Sequence, residues 1–174
     1  MVNLSYIKKY LKKVLSKLDA VYIFESKRNL NFKNKKNTKY LATTSINEIK
    51  KKKYLLNFFK NNKSKIQRFK NKSKFHFLLK NQLIICSGWS FSGNTWYIEE
   101  IDRKIDFKNK IILYDFYTHK KFRNRGYYQY LLKKINKSNK KNNIIYSRSN
   151  NAASIKAITS AGFTLLHKLK NRDK

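Results

Sequence analysis

The sequence predicts a mixed α+β fold in which antiparallel strands come first and a β-α-β-α-β tail follows. Three observations carry this. The strand-like runs Phe75–Leu79, Leu83–Phe91 and Trp96–Ile101 are separated by the short turns Asn81-Gln82 and Ser92-Gly93-Asn94, as in antiparallel hairpins. The apolar run IILYDFY, Ile111–Tyr117, stops at a basic loop carrying Arg123, Arg125 and Gly126, which opens onto a helical pattern. The stretch NAASIKAITSAGF, Asn151–Phe163, reads as a helix closed by Gly162 at its C-cap position.

Taken in order, residues 1–18 predict an amphipathic helix, with Leu4, Ile7, Leu11, Val14, Leu15 and Leu18 at helical spacing and Lys between them. Such a helix either packs on the domain or lies on an anionic membrane surface. Residues 20–25 read as a strand and 26–40 as a polar loop. Helical spacing returns over 46–69, through Ile49, Leu55, Leu56, Phe59, Ile66 and Phe69. After the strands named above, 125–136 is helical, Ile144–Ser147 is a strand, and Phe163–Leu169 is a last strand. No internal repeat or linker interrupts the chain, so one domain over residues 1–174 is expected. A chain of that length buries roughly 70% of the surface its unfolded form exposes.

The formal net charge is +33, but 35 of the 42 basic residues are Lys and only 7 are Arg, spread along the chain. Bidentate phosphate readers favour the planar Arg fork. With abundant Asn, Ile, Phe and Tyr, few Gly and no Pro, the charge follows AT-rich codon usage. No specific nucleic-acid partner is expected, although a basic nucleic-acid or membrane-surface protein stands as an alternative. No apolar run approaches the ~18 residues of a membrane span, and the N-terminus lacks a signal-peptide pattern. Cys86 is the only cysteine and lies in an apolar strand, which suits a packed thiol in a reducing, cytoplasmic setting. No Cys/His cluster suggests a metal.

Strand, glycine-bearing basic turn and helix is the layout of a phosphate cradle, because N–H groups at a helix N-terminus are unpaired and partly positive. The residues of YDFYTHKKFRNRGYYQYLLKKI and SNNAASIKAITSAGF resemble the acetyl-coenzyme A binding half of the GNAT N-acetyltransferase superfamily. There a Q/R-x-x-G-x-G/A loop holds the coenzyme A pyrophosphate. Here Arg123-Asn124-Arg125-Gly126-Tyr127-Tyr128 matches at the first and fourth positions and carries Tyr at the sixth. The later element, N-x-x-S/A followed by a helix and Gly-Phe, matches Asn151, Ser154, Gly162 and Phe163. The resemblance covers about residues 75–169. It implies a central, mostly antiparallel sheet splayed at the cofactor strand, with helices on both faces. The preceding GWSFSGNTWYIEEID resembles members associated with surface-sugar biosynthesis.

The implied function is acetyl-coenzyme A dependent N-acetylation of a small-molecule primary amine, such as an amino sugar or sugar nucleotide, by direct attack in a ternary complex. Arg123, Asn124, Arg125, Gly126, Tyr127 and Tyr128 are the expected pyrophosphate contacts. Phe116, Tyr117 and Thr118 offer a strand edge to the pantetheine arm and an N–H to the developing oxyanion, and Asn151 and Ser154 complete the cofactor set. A general base must deprotonate the amine. Glu100 is preferred, Glu99 and Glu100 being placed on opposite faces of a central strand, with Asp115 and His119 as further candidates. The family's usual proton donor, a Tyr on the last helix, falls by spacing on Ile158, so a catalytically weak or silent protein that binds coenzyme A or an anionic partner is the second reading. Trp89, Phe91, Trp96 and Tyr97 form either a sugar-stacking wall or core. Only 11 residues follow Phe163, where the family often adds another strand. A partner chain in a homodimer, or nothing, is expected in that place.

Overall fold

The computed structural model describes residues 20–26 and 32–170. The helix expected over 1–18 lies outside the described residues. The elements are β1 (Ala20–Ser26), β2 (Lys39–Thr43), the short helices α1 (Ile46–Lys51), α2 (Lys53–Lys60) and α3 (Gln67–Lys70), then β3 (Lys74–Lys80), β4 (Leu83–Phe91), β5 (Thr95–Ile98), β6 (Arg103–Asp106), β7 (Ile111–Thr118), α4 (Tyr127–Ser138), β8 (Asn143–Arg148), α5 (Ala152–Ser160) and β9 (Phe163–Lys170). Seven strands form one sheet in the order β2-β3-β4-β7-β8-β1-β9, and β5 and β6 pair separately. Every neighbouring pair in the large sheet is antiparallel except β7 and β8.

Helices cover both faces because the central strands are apolar on both. Leu78, Ile85, Leu113 and Ile145 pack under α4 and α5 with Leu131, Ile135 and Ile158. On the opposite face Phe75, Phe77, Ile84 and Trp89 meet Ile49, Leu55, Phe59 and Phe69 of α1 to α3. A third cluster sits on that same opposite face, where Val21, Ile23, Ile112 and Ile144 are roofed by Ile98, Ile101 and Phe107 around the β5–β6 hairpin. Among the described residues no helix is long and apolar enough to cross a membrane.

The sheet opens where the expected splay falls. The parallel β7/β8 pairing covers only Ile111–Leu113 against Asn143–Ile145. Beyond it β7 keeps its antiparallel partner β4, with a bulge: Gly88 alone on β4 faces Asp115 and Phe116 on β7. Asp115 sits in the left-handed region, φ 47°. A Cβ on Gly88 would lie 2.3 Å from the Phe116 ring, so Gly88 is a mid-strand close-approach residue.

Other departures from expectation have identifiable causes. The helical stretch 46–69 is broken at Lys52, whose extended φ −120°, ψ 111° serves both as the end of α1 and the start of α2. It breaks again at Asn62, whose side-chain amide donates to the Phe58 carbonyl at 2.8 Å and competes with the helical ladder. The breaks let four apolar residues, Ile49 to Phe69, reach one cluster. The end of the polar stretch 26–40 enters β2. The strand expected over Trp96–Ile101 ends at Ile98, and Glu99–Ile101 form a 3-10 turn. Ile98 and Ile101 are both fully buried. An extended strand would send them to opposite faces, whereas a turn with i, i+3 spacing drops both into the third cluster. Glu99 and Glu100 therefore lie in a hairpin turn outside the central sheet. The Ser92-Gly93-Asn94 turn likewise passes the chain from the large sheet to the small one.

β1 lies between β8 and β9 and pairs antiparallel with both. Farther along the sheet a buried histidine fastens β2, β3 and β4. His76 Nδ1 meets the Tyr40 hydroxyl at 2.8 Å and Nε2 the Ser90 hydroxyl at 2.8 Å. Burial first, and the Lys74 charge second, depress His76 to about 3, so it is neutral in the fold.

Candidate active site

The splay opens a cleft of about 1610 Å³ that passes through the sheet between β7 and β8. On the α4/α5 face it is lined by Phe116, Thr118, Arg123, Asn124, Gly126, Tyr127, Tyr128, Asn151 and Ser154. On the opposite face the lining comprises Arg68, Asn71, Ser73, Phe91, Trp96, Tyr97, Glu99, Glu100, Tyr114, Asp115 and Tyr146. Both predicted motifs thus meet on one face of one opening.

The cradle is built by local backbone. Asn124 at φ 58° and Gly126 at φ 69° are both left-handed. Asn tolerates that region and Gly favours it. The first bond of α4 is Tyr130 N–H to Gly126 O at 3.0 Å. The N–H groups of Tyr127, Tyr128 and Gln129 therefore have no intrahelical acceptor. Gly126 supplies no side-chain cap and the first turn holds no acid, so the helix itself places no negative charge at its positive end. Arg123 Nε donates to the Thr118 carbonyl at 3.1 Å, folding the loop back on the end of β7. Lys35 Nζ donates to the Arg125 carbonyl at 2.9 Å. The Arg125 side chain and His119 do not line the cleft. His119 Nδ1 instead accepts from Lys121 N–H at 3.3 Å, capping the turn that follows, and its ring packs on Phe122.

Asn151 caps α5, its Oδ1 accepting from Ser154 N–H at 3.0 Å, which leaves the Nδ2 hydrogens for the cleft. Tyr128, at the sixth cradle position, packs on Phe116 with ring centroids 5.1 Å apart, and its hydroxyl bonds Ser154. Burial raises the Tyr128 pKa, the Ser154 bond opposing it. Beyond Leu113 the β7 edge facing β8 is unpaired, so Phe116, Tyr117 and Thr118 present backbone to the slot. Ile158 does not face the cleft. It is fully buried in the α4/α5 core, and Ala157 and Ser160 line the opening instead.

The far side is aromatic and carries the carboxylates. Trp96 packs on Tyr114 at 4.6 Å and on Phe91 at 5.6 Å, and its Nε1 donates to the Tyr146 hydroxyl at 3.4 Å. Trp89 is buried in the second cluster, whereas Phe91, Trp96 and Tyr97 line the cleft. Three of the chain's nine acidic residues, Glu99, Glu100 and Asp115, stand here. Asp115 is bound by the Arg68 guanidinium and by Lys65 at 2.9 Å. Burial pushes its pKa up, but the Lys65 and Arg68 bonds and charges outweigh this and hold it below the usual value. Glu100 has Arg148 at 3.9 Å. Arg68, Ser73, Tyr114 and Tyr146 carry no motif, and the one sequence signal for Arg68 is that Arg is scarce in this chain.

No family model matches the sequence, and no curated protein does. Solved structures match its fold. A protein assigned to the GNAT acetyltransferases from Novosphingobium aromaticivorans shares 12% identity with a TM-score of 0.55, over 87% of this chain and 62% of that one. A GNAT-family acetyltransferase from Colwellia psychrerythraea shares 15% at 0.54, over 94% and 62%. A conserved protein of unknown function from Staphylococcus epidermidis shares 10% at 0.57, over 99% and 69%. The chain spans about three fifths of the length of the first two. The fold is that of the GNAT acetyltransferases.

Proposed function

We propose that the protein is an acetyl-coenzyme A dependent N-acetyltransferase acting on a primary amine. The observation that carries this is the through-sheet cleft, with an uncapped, acid-free helix N-terminus on one face and the carboxylates and aromatic wall on the other. The chain's residues fit the cofactor. The left-handed Asn124 and Gly126 make a concave backbone nest for a diphosphate, Arg123 adds charge, and the open β7 edge with the Asn151 amide suits an amide-bearing arm. Acetyl-coenzyme A, when bound, would supply an activated acyl thioester.

The chain's own residues activate and orient the amine, and the departing thiolate takes its proton from solvent. Glu100 takes the proton from the acceptor ammonium. Asp115 is bonded to two cations, Glu99 is exposed and His119 is off the cleft. A β7 backbone N–H at Phe116–Thr118 stabilises the developing oxyanion. The acceptor is held against Trp96 and Tyr114, a surface suited to a sugar ring, which supports the amino-sugar or sugar-nucleotide reading. The test is release of free thiol from acetyl-coenzyme A with amino sugars, their nucleotide derivatives and peptide N-termini. Release with amino sugars supports the reading. Release only with peptide amines removes the amino-sugar acceptor, and no release with any amine leaves the silent coenzyme A binder.

A further inference from the structure

Asp115 is the most constrained residue of the cleft. It is a non-glycine residue in the left-handed region, φ 47°, at a bulge where two β7 residues oppose Gly88 alone. It stands two residues beyond Leu113, the last residue of β7 paired with β8. The bend that opens the sheet is therefore at Asp115. Bulges bend a strand and increase its twist, and a left-handed residue persists only where its surroundings over-determine it.

The surroundings here are identifiable. The Asp115 carboxylate is bound by Arg68 and by Lys65 at 2.9 Å, both from the α3 region on the acceptor face. Arg68 is itself fixed, its guanidinium 5.4 Å from the Trp89 ring centroid and 5.3 Å from that of Tyr114. Tyr114 precedes Asp115 and donates to the Ser73 hydroxyl at 2.8 Å. On the other face Phe116 packs over Gly88 and against Tyr128 of the cradle helix. Consecutive residues of β7 are thus held from opposite faces, Tyr114 and Asp115 by the acceptor side and Phe116 by the cofactor side.

We propose that the Asp115–Arg68 ion pair is a positioning device that holds the β7 bulge open, and so sets the slot for the coenzyme A arm from the acceptor side. It rests on the reading of the cleft as a coenzyme A site. Asp115 acts through the backbone of Phe116–Thr118 and takes no proton in the reaction.

The test is a double-mutant cycle of Asp115→Asn and Arg68→Met, with acetyl-coenzyme A affinity measured by calorimetry and hydrogen exchange of Phe116–Thr118 measured without ligand. Asn tolerates the left-handed backbone, and Asp115→Gly serves as the second variant should either single fail to fold. Each single change weakens acetyl-coenzyme A by about tenfold or more and speeds exchange at Phe116–Thr118. The double change does no more than Asp115→Asn alone, because that change already releases both Arg68 and Lys65. The acid limb of the pH–rate profile survives in Asp115→Asn. Additive losses, unchanged exchange, or loss of that limb would overturn the proposal. Failure of the wild-type chain to bind acetyl-coenzyme A would instead sink the assigned function, and the exchange data would still decide the role of the ion pair.

Discussion

The two halves of the cleft, proposed here as the cofactor and acceptor sides, are built differently. The cofactor half comes from two contiguous stretches, 116–128 and 151–154, and its working groups are mainly backbone: uncapped N–H groups at α4, two left-handed residues and an open strand edge. The acceptor half is gathered from α3, β4, β5, the 99–101 turn, β7 and β8, and its working groups are side chains. Their charges differ as well. In a chain of net charge +33, all of the carboxylates that line the cleft are on the acceptor side. Backbone chemistry leaves a local pattern of Gly, Asn and Arg, whereas a side-chain chamber requires only that distant positions converge. The separation also gives each half its own failure modes.

The largest effect is expected at Glu100. Glu100→Gln lowers kcat by about a hundred- to ten-thousandfold, with acetyl-coenzyme A affinity retained. An unchanged kcat moves the base elsewhere. Next is Ile158→Tyr. If the family's tyrosine position were simply vacant, this change would raise kcat. Because Ile158 is fully buried, the added ring overpacks the core, costs about 1–3 kcal/mol of stability and gives no gain in rate. Thermal unfolding with a parallel rate assay separates the two. Trp96→Ala raises KM for the acceptor by roughly tenfold, about 1.4 kcal/mol, with acetyl-coenzyme A affinity unchanged. Equal loss for both ligands breaks the separation into halves.

A further effect is a matter of pH and belongs to neither half. His76 is depressed from 6.5 to about 3 in the fold, so between those values the unfolded chain binds a proton that the folded chain does not. Its contribution to stability is complete above pH 6.5 and declines toward pH 3, by about 1.4 kcal/mol per pH unit. Denaturant unfolding at pH 7 and pH 5 should show a drop that His76→Gln reduces. An equal drop in both proteins contradicts the assignment.

What was legible in the sequence follows the same division. The Asn81-Gln82 hairpin turn, the cradle and the Asn151 cap are local events, and their residues declare them. Both turn residues have positive φ, 46° and 58°. Glu100 was read on the wrong element, because apolar alternation through TWYIEEI imitates a strand while the burial of Ile98 and Ile101 requires a turn. The role of Gly88 has no local signal, because nothing nearby in sequence shows that Phe116 packs over it. The partners of Asp115 at Lys65 and Arg68 are 50 and 47 residues away, and β1 reaches its place between β8 and β9 from the opposite end of the chain. No local pattern encodes such pairings.

The central claim is that the 123–128 cradle binds the coenzyme A diphosphate. Its most direct test is the thermal unfolding of the wild-type chain and of Gly126→Glu, each with and without saturating acetyl-coenzyme A. The substitution places a side chain at φ 69° and a negative charge at the mouth of the cradle. At a ligand concentration about a hundredfold above Kd, wild type gains about 2.7 kcal/mol, seen as a raised Tm, and Gly126→Glu gains nothing. An equal rise in both proteins, or none in wild type, would contradict the claim.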